Sequence, residues 1–189
     1  MEPRLTLYIT IVAVCWVVFL VSWAIFAMTL RSSGRSNVTP RARGIRLLFV
    51  IAIFLAIGYG QSLTLRPFGR FTLDVAGAGA ALCIVGLAFA IWARVALGRN
   101  WGMPMTQHEN PELVTSGPYR FVRHPIYTGL SAMMIGTALV HPWAALPCVG
   151  MVAYTVYSAR REERDMEQRF PGTYAEYKRR SKMLVPFLL

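Results

Sequence analysis

The side chains best suited to chemistry crowd into residues 117–129. Gly117, Pro118, Tyr119, Arg120, Phe121, Val122, Arg123, His124, Pro125, Ile126, Tyr127, Thr128 and Gly129 bring two arginines, a histidine, two tyrosines and two prolines to the start of an apolar run. Pro125 biases His124 toward an extended backbone and suits the first turn of a helix. His124 is therefore expected at a helix N-terminus, where free N–H groups and the helix dipole favour an anion such as a carboxylate. About 35 residues further on, the adjacent acids Glu162 and Glu163 stand in an otherwise basic stretch. A carboxylate can accept from two hydroxyls at once, as holding a ribose requires, and it also suits a cationic sulfonium. Each cluster has a plainer alternative. The first could be a belt of aromatics and arginines at lipid headgroup level, and the second could pair with Arg160 or Arg161 on a solvated helix.

What must hold these residues in place is a set of helices in lipid. A chain of 189 residues that is 55% hydrophobic has room for one domain, and that domain belongs to the membrane class. Crossing the hydrocarbon layer takes about 20 apolar residues in a helix, because every backbone N–H and C=O must be satisfied internally. Residues 7–30, 45–65 and 73–97 are each long enough alone, while 126–140 and 143–159 are shorter and separated only by His141 and Pro142. The fold expected is an all-α integral membrane protein of about five transmembrane helices, the last two a tight hairpin, followed by a C-terminal cytosolic helical segment. The whole chain, 1–189, reads as one membrane domain. Residues 1–97 supply three N-terminal spans, and 98–189 form the half that carries the chemistry.

Small residues let helices approach closely in lipid, so Gly77, Gly79, Gly86, Gly129 and Gly136 are expected on packed faces. Pro147 should remove one backbone bond and kink the last span. After that span the helix should run on through Arg164 until Pro171 and Gly172 stop it, and residues 173–176 have capping-box spacing for a second short helix. Residues 183–189 then return an apolar tail toward the membrane. Cys15, Cys83 and Cys148 each lie inside an apolar run without metal or redox spacing, and read as small core residues.

Charge sets the orientation. The net charge is +11, but the basic residues sit in short loops between apolar runs, which points to anionic lipid headgroups rather than nucleic acid. Arg31, Arg35, Arg41, Arg43 and Arg46 precede the second span, and Arg160, Arg161, Arg164, Arg169, Lys178, Arg179, Arg180 and Lys182 follow the last. Both stretches are expected in the cytosol, which leaves the N-terminus outside and the active side cytosolic. Arg66 and Arg70 then fall outside, against that trend.

The run from Leu113 and Val114 through Gly117, Tyr119, Arg123, His124, Pro125 and Tyr127, then Arg161-Glu162-Glu163, Phe170-Pro171-Gly172, Tyr174, Tyr177 and Val185-Pro186, resembles the isoprenylcysteine carboxyl methyltransferase family. The resemblance spans roughly residues 97–187. The same half resembles phospholipid N-methyltransferases and, more distantly, the end of sterol reductases. It implies a pocket for S-adenosyl-L-methionine formed by the last hairpin, the loop before it and the C-terminal helix, closed by the apolar tail. It places cofactor contacts at Leu113, Val114, Gly117, Tyr119, Arg123, His124, Pro125, Tyr127, Glu162 and Glu163. The phospholipid branch also uses Gly-x-Gly on the third span; here Gly86 is flanked by Ile84 and Ala88, so that pattern is broken.

Methyl transfer from a sulfonium is an in-line displacement, so the protein chiefly aligns the partners and excludes water. A carboxylate nucleophile needs no base but does need a cation to hold it, whereas an amine would need a proton acceptor such as His124 or His108. The surplus of arginines favours a carboxylate. Arg99, Asn100 and Trp101 stand where a lipophilic or prenylated substrate entering from the bilayer should meet the cofactor, and with Arg123 they form the expected catalytic set. No metal is expected. The rival readings are a phospholipid or small-amine N-methyltransferase, a nicotinamide-dependent reductase of the sterol type, for which Gly-x-Gly-x-x-Gly is lacking, and a non-catalytic membrane scaffold.

Overall fold

In the computed structural model, residues 3–31, 73–98 and 113–185 are described. They form five α-helices: α1 (Pro3–Arg31), α2 (Leu73–Leu97), α3 (Pro125–Val140), α4 (Ala145–Arg169) and α5 (Thr173–Arg180). The all-α expectation holds, with a single parallel β-bridge between Val122 and Lys182 among the described residues. Two helices, over Pro3–Phe26 and Leu73–Leu97, are long and apolar enough to cross a membrane, and Pro125–Val140 is a shorter apolar helix. The expected span at 45–65 lies outside the described residues.

The core of the bundle is the contact between α2 and α3, and glycine makes it possible. A Cβ added at Gly79 would stand 2.7 Å from the Gly136 carbonyl oxygen, and one at Gly86 would stand 2.6 Å from that of Gly129. The reverse contacts, Gly136 on Gly79 and Gly129 on Gly86, are equally close. The two pairs lie two turns apart on each antiparallel helix, so they form one continuous close-packed seam. Gly77 meets the Tyr8 ring of α1. All five glycines thus lie on packed faces as expected.

Helix α1 closes over this seam with Val12, Cys15, Trp16 and Phe19, which cluster with Ala80, Cys83, Met133, Met134 and Met151. Trp16 donates its indole N–H to Thr137 Oγ1 at 3.0 Å, and that hydroxyl donates to the Met133 carbonyl at 2.8 Å. The one polar pair in this layer is therefore satisfied without water. Arg94, near the end of α2, lies over the Phe26 ring and donates to the Gly98 carbonyl.

A short turn, Pro142–Ala144, joins α3 to α4. Two sequence expectations change here. Pro147 occupies the first turn of α4, where a backbone N–H has no helical acceptor, so it breaks no helical bond. The cap of α5 is Gly172 in a left-handed conformation (φ 84°), not Thr173. Glu176 turns away to pair with Arg180, so no capping box forms. Helix α4 does run through the charged stretch to Arg169, which carries Glu162 and Glu163 past the apolar part.

Candidate active site

Three segments meet at the base of α3. Residues 117–120 form a 3-10 turn that lays Pro118 and Tyr119 into the protein. Gly117 is required there on two counts: its φ is +61°, and a Cβ would stand 3.3 Å from Ala96 of α2. The chain then pairs with the segment after α5. Arg123 N–H donates to the Lys182 carbonyl at 2.8 Å, Lys182 N–H to Phe121 at 3.2 Å and His124 N–H to Met183 at 3.1 Å. The Thr128 hydroxyl ties the same strand further on, donating to the Leu184 carbonyl at 2.5 Å. Pro125, fully buried, starts α3 with His124 at its N-cap. This fixes Arg123, His124 and Tyr127 against the face of α4 that carries the acids.

The acids are held from several directions. Arg123 donates through Nε to Glu163 Oε1 at 2.6 Å and through its guanidinium to the Lys178 and Ser181 carbonyls. Lys178 Nζ reaches Glu163 Oε2 at 3.2 Å and Glu167 at 2.9 Å. Tyr127 donates its hydroxyl to Glu162 Oε1 at 2.5 Å. His124 sits between the two, with Nδ1 3.5 Å from Glu162 and Nε2 3.6 Å from Glu163. The side chains of Arg123, His124 and Glu163 are 8–9% exposed, while Glu162 is 35% exposed. At 3.6 Å the Nε2 contact is electrostatic rather than a hydrogen bond, which leaves that buried atom without a hydrogen-bond partner.

The ionisation of the cluster follows from this geometry. Burial alone would raise the Glu163 carboxyl, but His124 and Arg123, with Lys178 beyond them, outweigh it and hold it at about 2. For His124 burial works against the charged form, yet the two glutamates prevail and raise it above its ordinary value. The two glutamates thus favour the charged form of the imidazole that lies between them. Tyr177, buried against Tyr119 and donating to its carbonyl at 2.6 Å, is pushed up to about 12 chiefly by burial, so it stays a neutral donor.

Of the residues singled out from the sequence, Arg123, His124, Tyr127, Glu162 and Glu163 come together directly, with Pro125 beneath them. Gly117 and Tyr119 form the adjoining turn, and Leu113 and Val114 are half-buried at its approach. Arg99, Asn100 and Trp101 lie outside the described residues.

The phospholipid methyltransferase family model matches residues 75–173, more than half of the chain, including Arg123, His124, Tyr127, Glu162 and Glu163. Over 90% of the chain and 88% of the relative, the sequence is 30% identical to protein-S-isoprenylcysteine O-methyltransferase A of Arabidopsis thaliana. The corresponding B protein is 26% identical over 86% of each chain. Methanethiol S-methyltransferase 2 of Bradyrhizobium diazoefficiens is 36% identical over 70 residues, 37% of this chain and 27% of that one. The chain belongs to the isoprenylcysteine methyltransferase family, within the phospholipid methyltransferase superfamily. It is a membrane methyltransferase, and the reductase and scaffold readings fall away.

The resemblance gave the C-terminal helix a place in the pocket of this methyltransferase, but Lys178 and Ser181 of that segment were not singled out for it. Tyr174, Tyr177 and Ser181 form the buried face of this segment, and Lys178 and the Ser181 carbonyl complete the cage around Glu163 and Arg123. Their spacing of three and four residues was the available signal. It was masked by the run of cations between them.

Proposed function

We propose that this membrane methyltransferase uses S-adenosyl-L-methionine and esterifies the carboxylate of a lipophilic, isoprenylcysteine-like substrate on the cytosolic side. The observation that carries the reading is the pair of adjacent carboxylates enclosed by Arg123, His124, Tyr127 and Lys178, with a buried imidazole nitrogen that has no hydrogen-bond partner among the described residues. The donor set fits the cofactor: the carboxylates suit hydroxyls and positive charge, and the imidazole of His124 suits an amino-acid carboxylate. Bound there, the cofactor supplies an electrophilic methyl group for in-line displacement.

The chain's own residues hold, orient and exclude. Arg123 and Lys178 fix Glu163, and Tyr127 fixes Glu162, so both acids are set before a ligand arrives. Arg123 is already committed to Glu163 and two carbonyls, which favours a cofactor-side role and leaves Arg99, with Asn100 and Trp101, to hold the substrate. A carboxylate nucleophile asks for no base. An amine would, and His124, enclosed between Glu162 at 3.5 Å and Glu163 at 3.6 Å, is poorly placed to be one. That contrast favours ester formation over N-methylation.

The same reading places five spans in the membrane with the last two as a hairpin, the N-terminus outside, residues 1–97 as scaffold and 98–189 as the catalytic half. Equilibrium binding of S-adenosylhomocysteine and of NADPH to the purified chain tests the cofactor. S-adenosylhomocysteine should bind and His124→Asn should weaken it, whereas equal silence toward both ligands would overturn the assignment.

A further inference from the structure

Where α4 leaves its apolar part, positive charge exceeds what the cluster above uses. A cleft of about 580 Å³ between the end of α4 and α5 is lined by six cations, Arg123, Arg160, Lys178, Arg179, Arg180 and Lys182, and one acid, Glu163. Three of the six are neutralised: Arg123 by Glu163, Lys178 by Glu163 and Glu167, and Arg180 by Glu176. Arg160, Arg179 and Lys182 are exposed and have no acid within ion-pair distance among the described residues. Three unmatched cations around one concavity call for an anion with several acceptor oxygens, as a phosphate group has.

The occupant is identified by what adjoins the cleft. Leu146, Val149 and Tyr157 project outward from α4, strongly exposed, and with Ala153 and Arg160 they follow the three- and four-residue steps of one helix face. This stripe is apolar along its length and ends in a cation at the mouth of the cleft. A soluble phosphate would satisfy the cations and leave the stripe unused. A zwitterionic lipid would cover the stripe but bring its own ammonium among unmatched cations. We propose that the cleft between α4 and α5 holds the phosphate headgroup of an anionic phospholipid whose acyl chains lie along the apolar face of α4. The cleft adjoins the proposed cofactor site and shares Arg123, Lys178 and Glu163 with it, so lipid retention, a readout independent of methyl transfer, is what tests the lipid assignment.

The test uses the purified full chain in nanodiscs of phosphatidylcholine with a minor share of phosphatidylglycerol, and native mass spectrometry to read which lipid is retained. Phosphatidylglycerol should be retained in preference, and the Arg179→Gln/Lys182→Gln double variant should lose that preference by about twentyfold, since each cation near an anionic headgroup contributes about fivefold. Should the variant fail to fold in pure phosphatidylcholine, the unaltered chain still decides the matter, because its preference must fall steeply as sodium chloride is raised. Equal retention of both lipids, a preference unchanged in the variant, or one indifferent to salt would overturn the proposal. Displacement of phosphatidylglycerol by inorganic phosphate at constant ionic strength would also overturn it, by assigning the cleft to a soluble anion.

Discussion

Replacing Glu163 by glutamine should separate it from its neighbour Glu162 in a way the sequence gives no reason to expect. The Glu163 carboxylate accepts from Arg123 at 2.6 Å and Lys178 at 3.2 Å, with His124 at 3.6 Å. Glutamine keeps the shape but leaves the buried Arg123 and the partly exposed Lys178 beside a neutral amide. Breaking a fully buried pair costs about 3–5 kcal/mol. Here Lys178 is 42% exposed, so solvent reaches one side of the pair and the expected loss is about 2–3 kcal/mol. For a chain of this length that amounts to a fall of about 4–12 °C in the unfolding midpoint. Glu162 is 35% exposed and held by Tyr127, so Glu162→Gln should cost stability no more than about 1 kcal/mol. Both changes should weaken S-adenosylhomocysteine binding by about tenfold or more. Thermal unfolding in detergent and calorimetric binding read the two effects separately. Equal midpoints for both variants would refute the claim that Glu163 is the structural acid of the pair.

The remaining predictions concern pH, packing and topology. Because His124 is raised in the folded state, its contribution is full below about pH 6.5 and is lost as pH rises through the folded value, so the unfolding midpoint should decline as pH rises past that range and His124→Asn should flatten the decline. Glu163 behaves oppositely: its contribution is present above about pH 4.5 and is lost as pH falls toward about 2. Gly136→Ala forces a Cβ to 2.5 Å from the Gly79 carbonyl and should cost about 1–3 kcal/mol, whereas Gly150→Ala, with nothing within 4 Å, should be neutral or slightly stabilising in the same unfolding assay. For topology, Lys182→Cys should react with an impermeant thiol reagent only from the cytosolic side and Arg4→Cys only from outside. The neighbouring Ser181 is buried and unsuited to labelling.

The chemistry-bearing segment was legible because proline before a helix and paired acids after one have few physical readings. The His124-Pro125 step became an N-cap and first turn, and the charged continuation of α4 brought its acids back to it. Gly79, Gly86, Gly129 and Gly136 were legible too, since small residues in lipid let helix backbones approach. What could not be read was which acid faces inward. Glu162 and Glu163 are adjacent on a helix and point about 100° apart, and only the direction from which α5 arrives decides between them. The role of Lys178 and Ser181 was hidden for the same reason. The cap of α5 went astray because Gly172, with its positive φ just after Pro171, takes the N-cap position one residue before the Thr-x-x-Glu spacing places it. Pro147 was assigned to a helix interior because the boundary after Pro142 could not be set to within a turn.

The central claim is met most directly by a transfer assay in which the purified chain is given methyl-labelled S-adenosyl-L-methionine with either an S-prenylated cysteine bearing a free carboxylate or phosphatidylethanolamine. The account predicts label in the prenylcysteine, released by mild alkali as methanol, as a methyl ester must be. Alkali-stable label in the lipid amine, with none in the carboxylate, would contradict it.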